Sequence, residues 1–280
     1  MRAGATAAGG LLLASAASSV LHAAPTTDAG NETLNTLHRL RTIHGNFSDR
    51  EVPEDELQSV IQASLRAANA SAMQNYSIIV ERDRPRMKEI CGYRGSRLLV
   101  YCVDHNRMMA SAASLGHSYR PDDITSFVTA AFDTAIAAQT AAVAARALGI
   151  DYLITNGLHR GDMKRLWTLL DLPPTHCVPL IALVLGYPTQ EPAHLKGRLD
   201  GPGIVHDGRY HRPTPEELEA ITRRYDDAKN HLTLNEAWAS GGHAHYLDWL
   251  FKDWLGRSSR PDGQPSALFA VLKRAGYLEA

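Results

Sequence analysis

Pro179-Leu-Ile-Ala-Leu-Val-Leu-Gly-Tyr-Pro-Thr-Gln-Glu-Pro-Ala-His-Leu-Lys-Gly-Arg198 is the stretch from which the fold is read. Leu180–Leu185 is continuously apolar, short, and bounded by proline before it and by Gly186-Tyr-Pro188 after it, the pattern of a strand buried on both faces. Beyond its exit lie Lys196 and Arg198, flanking Gly197. Lysine offers a compact charge, arginine a planar fork of donors, and glycine no side chain to crowd an anion. The tripeptide therefore reads as a phosphate seat tethered to a core strand. A solvated basic loop is the competing reading of the same residues.

Outward from that strand the grammar repeats. Tyr76–Val80 and Leu98–Val103 read as strands, the latter ending at Asp104, and Tyr152–Thr155 is a short one stopped by the turn dipeptide Asn156-Gly157. Helices are expected over Glu32–Arg41, from Pro53 through Ala68, over Arg84–Cys91, over Met163–Leu170 before the breaker Pro173-Pro174, and from Thr214-Pro215-Glu-Glu-Leu218. The last carries a threonine cap, a first-turn proline and acids near the positive helix end. From Glu236 onward the chain reads as helical and aromatic, with Trp238, Tyr246, Trp249, Phe251 and Trp254 as packing anchors.

Ser126–Leu148, closed by Gly149, is the longest weakly polar run. Asp133, Gln139, Arg146 and the many Ala and Thr residues favour a buried, close-packed helix over a membrane span. Small side chains let neighbours approach, which places this helix at the centre of the domain or of a dimer. Strands interleaved with helices make the whole a single α+β domain.

Composition sets the outer bounds. The chain has 280 residues, 44% of them hydrophobic and 21% charged, enough for a sizeable core. Twenty-nine Lys+Arg against 30 Asp+Glu give a net charge of −1, which argues against a nucleic-acid binder. Cys91, Cys102 and Cys177 form no C-x-x-C pair and read as buried thiols. His243-x-His245, His206 and His211 lack the spacing of a metal site, because i and i+2 residues do not share a helix face. No metal is expected. Residues 1–30 are rich in Ala, Ser and Leu and read as a targeting segment or a disordered tail. Residues 31–235 then form the main domain, and residues 236–280 a helical extension packing on it or on a partner.

Taken in order, residues 33–212 resemble the flavin-dependent nitroreductase superfamily. Arg41-Thr-Ile-His-Gly-Asn-Phe47 is similar to the family's Arg-Arg-Ser-x-Arg-x-Phe pattern, keeping Arg41 and Phe47 but placing Ile43 and Gly45 at the Ser and later Arg positions. Ala67-Ala-Asn-Ala-Ser-Ala-Met-Gln-Asn-Tyr76 resembles its Ala-Pro-Ser-x-x-Asn-x-Gln-Pro-Trp segment, with Ser71 retained and Gln74 on the Asn position. Asp133–Gly149 is similar to the central dimer helix, and Ile154-Thr-Asn-Gly157 to the segment whose backbone faces flavin N5. Leu185-Gly-Tyr-Pro188 with Lys196 and Arg198 is the best-preserved element.

The resemblance implies a central mixed, mainly antiparallel sheet flanked by helices, and an intertwined homodimer. It implies FMN as cofactor, NADH or NADPH as electron donor, and a nitro, quinone or other small organic acceptor. Arg41, Lys196 and Arg198 would take the phosphate, Thr42 and His44 would be polar contacts near it, and Ser71, Gln74, Asn156 and Gly157 would meet the ring edge. No catalytic side chain is expected, since the flavin carries the electrons and the protein binds, orients and tunes it. A flavin-binding protein with little turnover is the alternative, and a flavin dehydrogenase acting on a natural product is a variant within the enzyme class.

Overall fold

The computed structural model describes residues 30–201, 203–256 and 266–278. The expected N-terminal targeting segment or tail therefore falls almost wholly outside the described residues. Along the chain the elements are α1 (Glu32–His38), α2 (Glu54–Ser64), β1 (Tyr76–Glu81), α3 (Arg84–Cys91), β2 (Arg97–Asp104), α4 (Asn106–Ser114) and α5 (Ile124–Ala147). There follow β3 (Asp151–Thr155), α6 (Arg165–Leu170), β4 (Cys177–Gly186), α7 (Pro215–Asp226), α8 (Tyr246–Trp249), a π-helical turn over Leu250–Leu255, and α9 (Ala267–Arg274).

The strands make a four-stranded sheet in the order β1-β2-β4-β3, with every neighbouring pair antiparallel. The expected mixed character reduces, among the described residues, to an isolated parallel bridge between Thr42 and Tyr152 beside β3. Residue parity sends the two sides of each strand into separate cores. Leu98, Val100 and Cys102 of β2 join Met87, Ile90, Leu166 and Trp167 on one face. Leu99 and Tyr101 join Leu57, Val60 and the inner side of α5 on the other. A bulge between Tyr101 and Cys102 resets the alternation, so that Cys102 and Val103 both point to the first core. All three cysteines are free and buried, as their spacing indicated.

Caps fix where the helices begin. Asp83 accepts from the Arg86 amide before α3, Asp123 from Ser126 before α5, and Thr214 with Glu217 closes a full capping box on α7. Within this chain helix α5 is enclosed on one side only. It buries a single face, through Phe127, Ala130, Asp133, Thr134, Ala137, Ala138, Ala141, Ala142 and Ala145. Its other face leaves Ile124, Val128, Phe132 and Ile136 exposed. A four-stranded sheet covers one side of a helix and no more.

Among the described residues from Glu236 onward, α8, the π-helical turn and α9 are helical, and tyrosines of this segment pack against the same chain. Tyr246 is buried and stacks with Tyr225 at 5.5 Å between ring centroids. Beyond α9, Tyr277 is buried against Phe127 and His105. Phe251 and Trp254, read from sequence as packing anchors, are exposed in this chain.

Candidate functional site

Two segments about 150 positions apart in sequence meet at the exit of β4. Ser48 donates its amide to the Tyr187 carbonyl (2.7 Å), Thr189 donates to the Asn46 carbonyl (2.9 Å), and Phe47 bridges Pro188. On the other side Ile43 donates to the Tyr152 carbonyl (2.9 Å). The Arg41–Phe47 strip is thus laced between β3 and the loop that leaves β4. Gly186 is needed here: a Cβ would stand 3.0 Å from the Phe47 ring and 3.3 Å from the Ser96 amide.

This lacing frames a cavity of about 370 Å³. Arg41, Thr42 and His44 line one wall, His194, Lys196 and Arg198 a second, and Leu232–Leu234 the floor. Five of the sequence-selected residues therefore share one cavity, although the chain between them runs through most of the fold. Their charges differ in availability. Arg41 makes a two-pronged ion pair with Asp151 (2.7 and 2.6 Å) and a further contact to Glu191 (2.7 Å). Asp151, which is 1% exposed, holds the Arg41 guanidinium charged and raises its pKa further. Arg41 thus braces the wall.

Lys196 and Arg198 are the more accessible pair. Lys196 donates to the Thr233 carbonyl (2.9 Å) and to Glu236 (3.1 Å), whose carboxyl is held below its ordinary range first by Lys196 and then by His194. Arg198 donates to the carbonyls of Gly197 (2.8 Å) and Lys196 (3.2 Å), folding its fork back over its own loop. Gly197 has a different purpose from the one its sequence context indicated. A Cβ there would come within 1.9 Å of the Asn230 carbonyl oxygen, so glycine lets the cation loop close on the segment after α7.

Sequence reasoning missed His194, His231 and Glu236. The two imidazoles stack at 3.6 Å between centroids, and their nitrogens and the Glu236 carboxylate lie within 4.8 Å of one another. The Lys196 ammonium already neutralises this corner. Of the histidines weighed earlier for a metal, His243 pairs with Asp253 (3.0 Å) and His245 with Asp226 (2.7 Å), and each is a local clasp.

The other selected residues lie away from this cavity. Ser71 and Gln74 sit between α2 and β1, in a turn where Ser71, Ala72 and Gln74 all have left-handed backbone angles (φ 53°, 55° and 47°). For residues other than glycine such angles cost about 1–3 kcal/mol each, and they collect at sites that grip ligands. Asn156 is exposed just past β3. Gly157 is buried with its amide donating to Thr155 Oγ1 (2.9 Å), and a Cβ there would meet the Cys91 carbonyl oxygen at 2.4 Å.

The arrangement matches known proteins. The sequence pattern of the nitroreductase family fits residues 39–187, more than half of the chain. An oxygen-insensitive NADPH nitroreductase of Salmonella typhimurium is 31% identical over 199 residues, covering 67% of this chain and 78% of the relative. An FMN reductase [NAD(P)H] of Bacillus subtilis is 29% identical over 208 residues, covering 70% and 81%. The chain belongs to the nitroreductase family.

Among solved structures, NfrA2 of B. megaterium superposes with a TM-score of 0.74 at 23% identity, covering 88% of this chain and 98% of that one. That likeness concerns the fold: an antiparallel sheet between helical layers, with the family's matched residues running from the end of α1 to the exit of β4. The family match thus includes the strip Arg41–Phe47 and the turn bearing Ser71 and Gln74, and it stops short of Lys196 and Arg198. Those two cations rest on the sequence reading and on their place in the cavity.

Proposed function

We propose that the chain is an FMN-dependent NAD(P)H oxidoreductase that acts as a homodimer and passes electrons to a small organic acceptor such as a nitro compound or quinone. Membership of the nitroreductase family carries the oxidoreductase part of this reading. The observation that carries the cofactor part is the cavity that gathers Thr42, His44, Lys196 and Arg198. Two fixed cations, an imidazole and a hydroxyl form a donor set suited to a phosphomonoester, and a cavity of this volume lies within the range for small-ligand sites.

When bound, the flavin accepts hydride from the nicotinamide and returns electrons to the acceptor. The chain's own residues do the rest. Lys196 releases Glu236 and Arg198 unfolds from its loop carbonyls to meet the phosphate, while Asp151 keeps Arg41 fixed as the wall behind Thr42. Ser71 and Gln74 lie outside this cavity. A second chain supplies them to the ring edge in the shared-site arrangement, which is also where the apolar outer face of α5 finds its cover.

The protein is expected to purify yellow with one FMN per subunit. Replacing both Lys196 and Arg198 by Ala removes two charge-assisted contacts worth about 1.5–3 kcal/mol each, so FMN affinity should fall at least about tenfold. Both side chains are on a surface loop, and the fold is expected to survive, as read by circular dichroism. Normal FMN occupancy in that double variant, measured by absorbance, refutes the phosphate seat. Anaerobic bleaching of the bound flavin by NADPH separates the enzyme from a flavin-binding protein with little turnover.

A further inference from the structure

The turn between α2 and β1 carries its left-handed residues at or near the surface. Ser71 and Ala72 are exposed, and a Cβ in this backbone region crowds the neighbouring carbonyl oxygen. Only surroundings that over-determine such angles keep them. Arg107 of α4 donates from Nη2 to the carbonyls of Met73 (2.8 Å) and Gln74 (2.6 Å). Asn69 Oδ1 accepts from the Gln74 amide (3.2 Å).

A further restraint comes from α5. Asp133 Oδ1 accepts from the Ala70 amide at 2.9 Å, and the Asn75 amide at the far end of the turn faces the same carboxylate. Asp133 is 3% exposed and stands on a helix face otherwise lined mainly by alanine. Its Oδ2 is buried with no hydrogen-bond partner. Burying a carboxylate with half its acceptor capacity idle is an expensive way to finish a helix surface, and Ala130 and Ala137 beside it do so at no such cost. The carboxylate ties the entry of one strained turn to α5, and that bond is the feature alanine would lack.

We propose that Asp133 is a positioning residue, stapling the turn from Ala70 to Asn75 into the left-handed form that aims Ser71 and Gln74 at the FMN bound by a second copy of the chain. This rests on the flavin reading above. The same helix turns Phe132, the next residue back, outward to solvent. Asp133 therefore ties the ring-edge groups to the helix whose outer face is proposed to meet the partner.

The test uses the full-length chain titrated with FMN, reading affinity from flavin fluorescence and ring environment from visible circular dichroism. Asp133→Ala should weaken FMN at least about tenfold and alter the visible spectrum, with far-UV spectrum and oligomeric mass unchanged. Adding Ala72→Gly should restore much of the affinity, because glycine holds a left-handed angle without a clamp. A folded Asp133→Ala that binds FMN like wild type, or that gains nothing from Ala72→Gly, overturns the proposal. If Asp133→Ala does not fold, Asp133→Asn decides, since it keeps Oδ1 for Ala70 but loses the charge facing Asn75. Weaker binding with a changed visible spectrum supports the staple, and wild-type values for both overturn it. Wild-type protein that takes up no FMN overturns the flavin reading and this inference with it. Wild-type uptake matched by the variants overturns the staple alone.

Discussion

Asp151 shows how a single buried acid organises the cavity wall. It receives Arg41 on both oxygens and Arg146 at 3.1 Å, with its side chain 2% exposed. Removing one partner of a buried ion pair costs about 3–5 kcal/mol, because the remaining charge is left unmatched in a poor solvent. Asp151→Asn is accordingly expected to lower the urea unfolding free energy by about 3 kcal/mol. Arg41→Met should cost less, since Asp151 keeps Arg146. Equal stability of Asp151→Asn and wild type would show that the pair contributes nothing. At this scale the sequence was legible where chemistry is local: Lys196 and Arg198 announce themselves by flanking a glycine after a core strand. It was silent on partners. Nothing near Arg41 foretells Asp151, 110 positions on, and nothing near Lys196 foretells Glu236, 40 positions on. Gly197 was read as space for an anion, whereas the Asn230 carbonyl fills that space.

The elements were legible to the extent that each signals itself. Continuous apolar runs between breakers gave all four strands of the sheet, and the start of α7 was visible in its cap and first-turn proline. Helix α4 was missed: Asn106–Ser114 is short, buries none of its residues and has no side-chain cap to mark its start. The seam between β2, β4 and the C-terminal segment was equally hidden. There the His105 ring is buried and bonded through Nδ1 to the Tyr277 hydroxyl (2.8 Å). Burial, then the neighbouring His176, push its pKa down to about 4 from 6.5, against the opposing pull of Asp104 and Asp123. Between these values the unfolded chain binds a proton that the folded chain refuses, so stability is complete above pH 6.5 and falls as pH drops toward 4. The slope is about 1.4 kcal/mol per pH unit, or about 2 kcal/mol between pH 6.5 and 5. Urea titrations at those two pH values should show this loss in wild type and a clearly smaller one in His105→Gln. Identical losses would clear His105 of the effect.

At the scale of the molecule, the outer face of α5 sets the last prediction. Ile124, Val128, Phe132 and Ile136 recur every fourth residue, so they form one stripe along the helix, and all are exposed, Phe132 to 64%. Phe251, Trp254 and Leu255 add apolar surface from the C-terminal extension. An exposed apolar stripe such as that on α5 is the kind of surface that a second chain covers in the proposed dimer. In the proposed dimer a second copy also completes the site, because Lys196 and Arg198 and the strained turn bearing Ser71 and Gln74 occupy separate places in one chain. Light scattering at micromolar concentration should therefore report about twice the 30.6 kDa chain mass. Phe132→Asp places a charge in the middle of the stripe, where pairing across a two-fold axis brings it near its own copy. It should yield a folded monomer with an unchanged far-UV spectrum. With the ring-edge groups on the neighbour, as proposed, FMN should be lost in step with the dimer as protein is diluted, and the two curves should share a midpoint. A Phe132→Asp monomer that keeps its flavin would locate every contact in one chain, and Ser71 and Gln74 would then have no part in holding the ring.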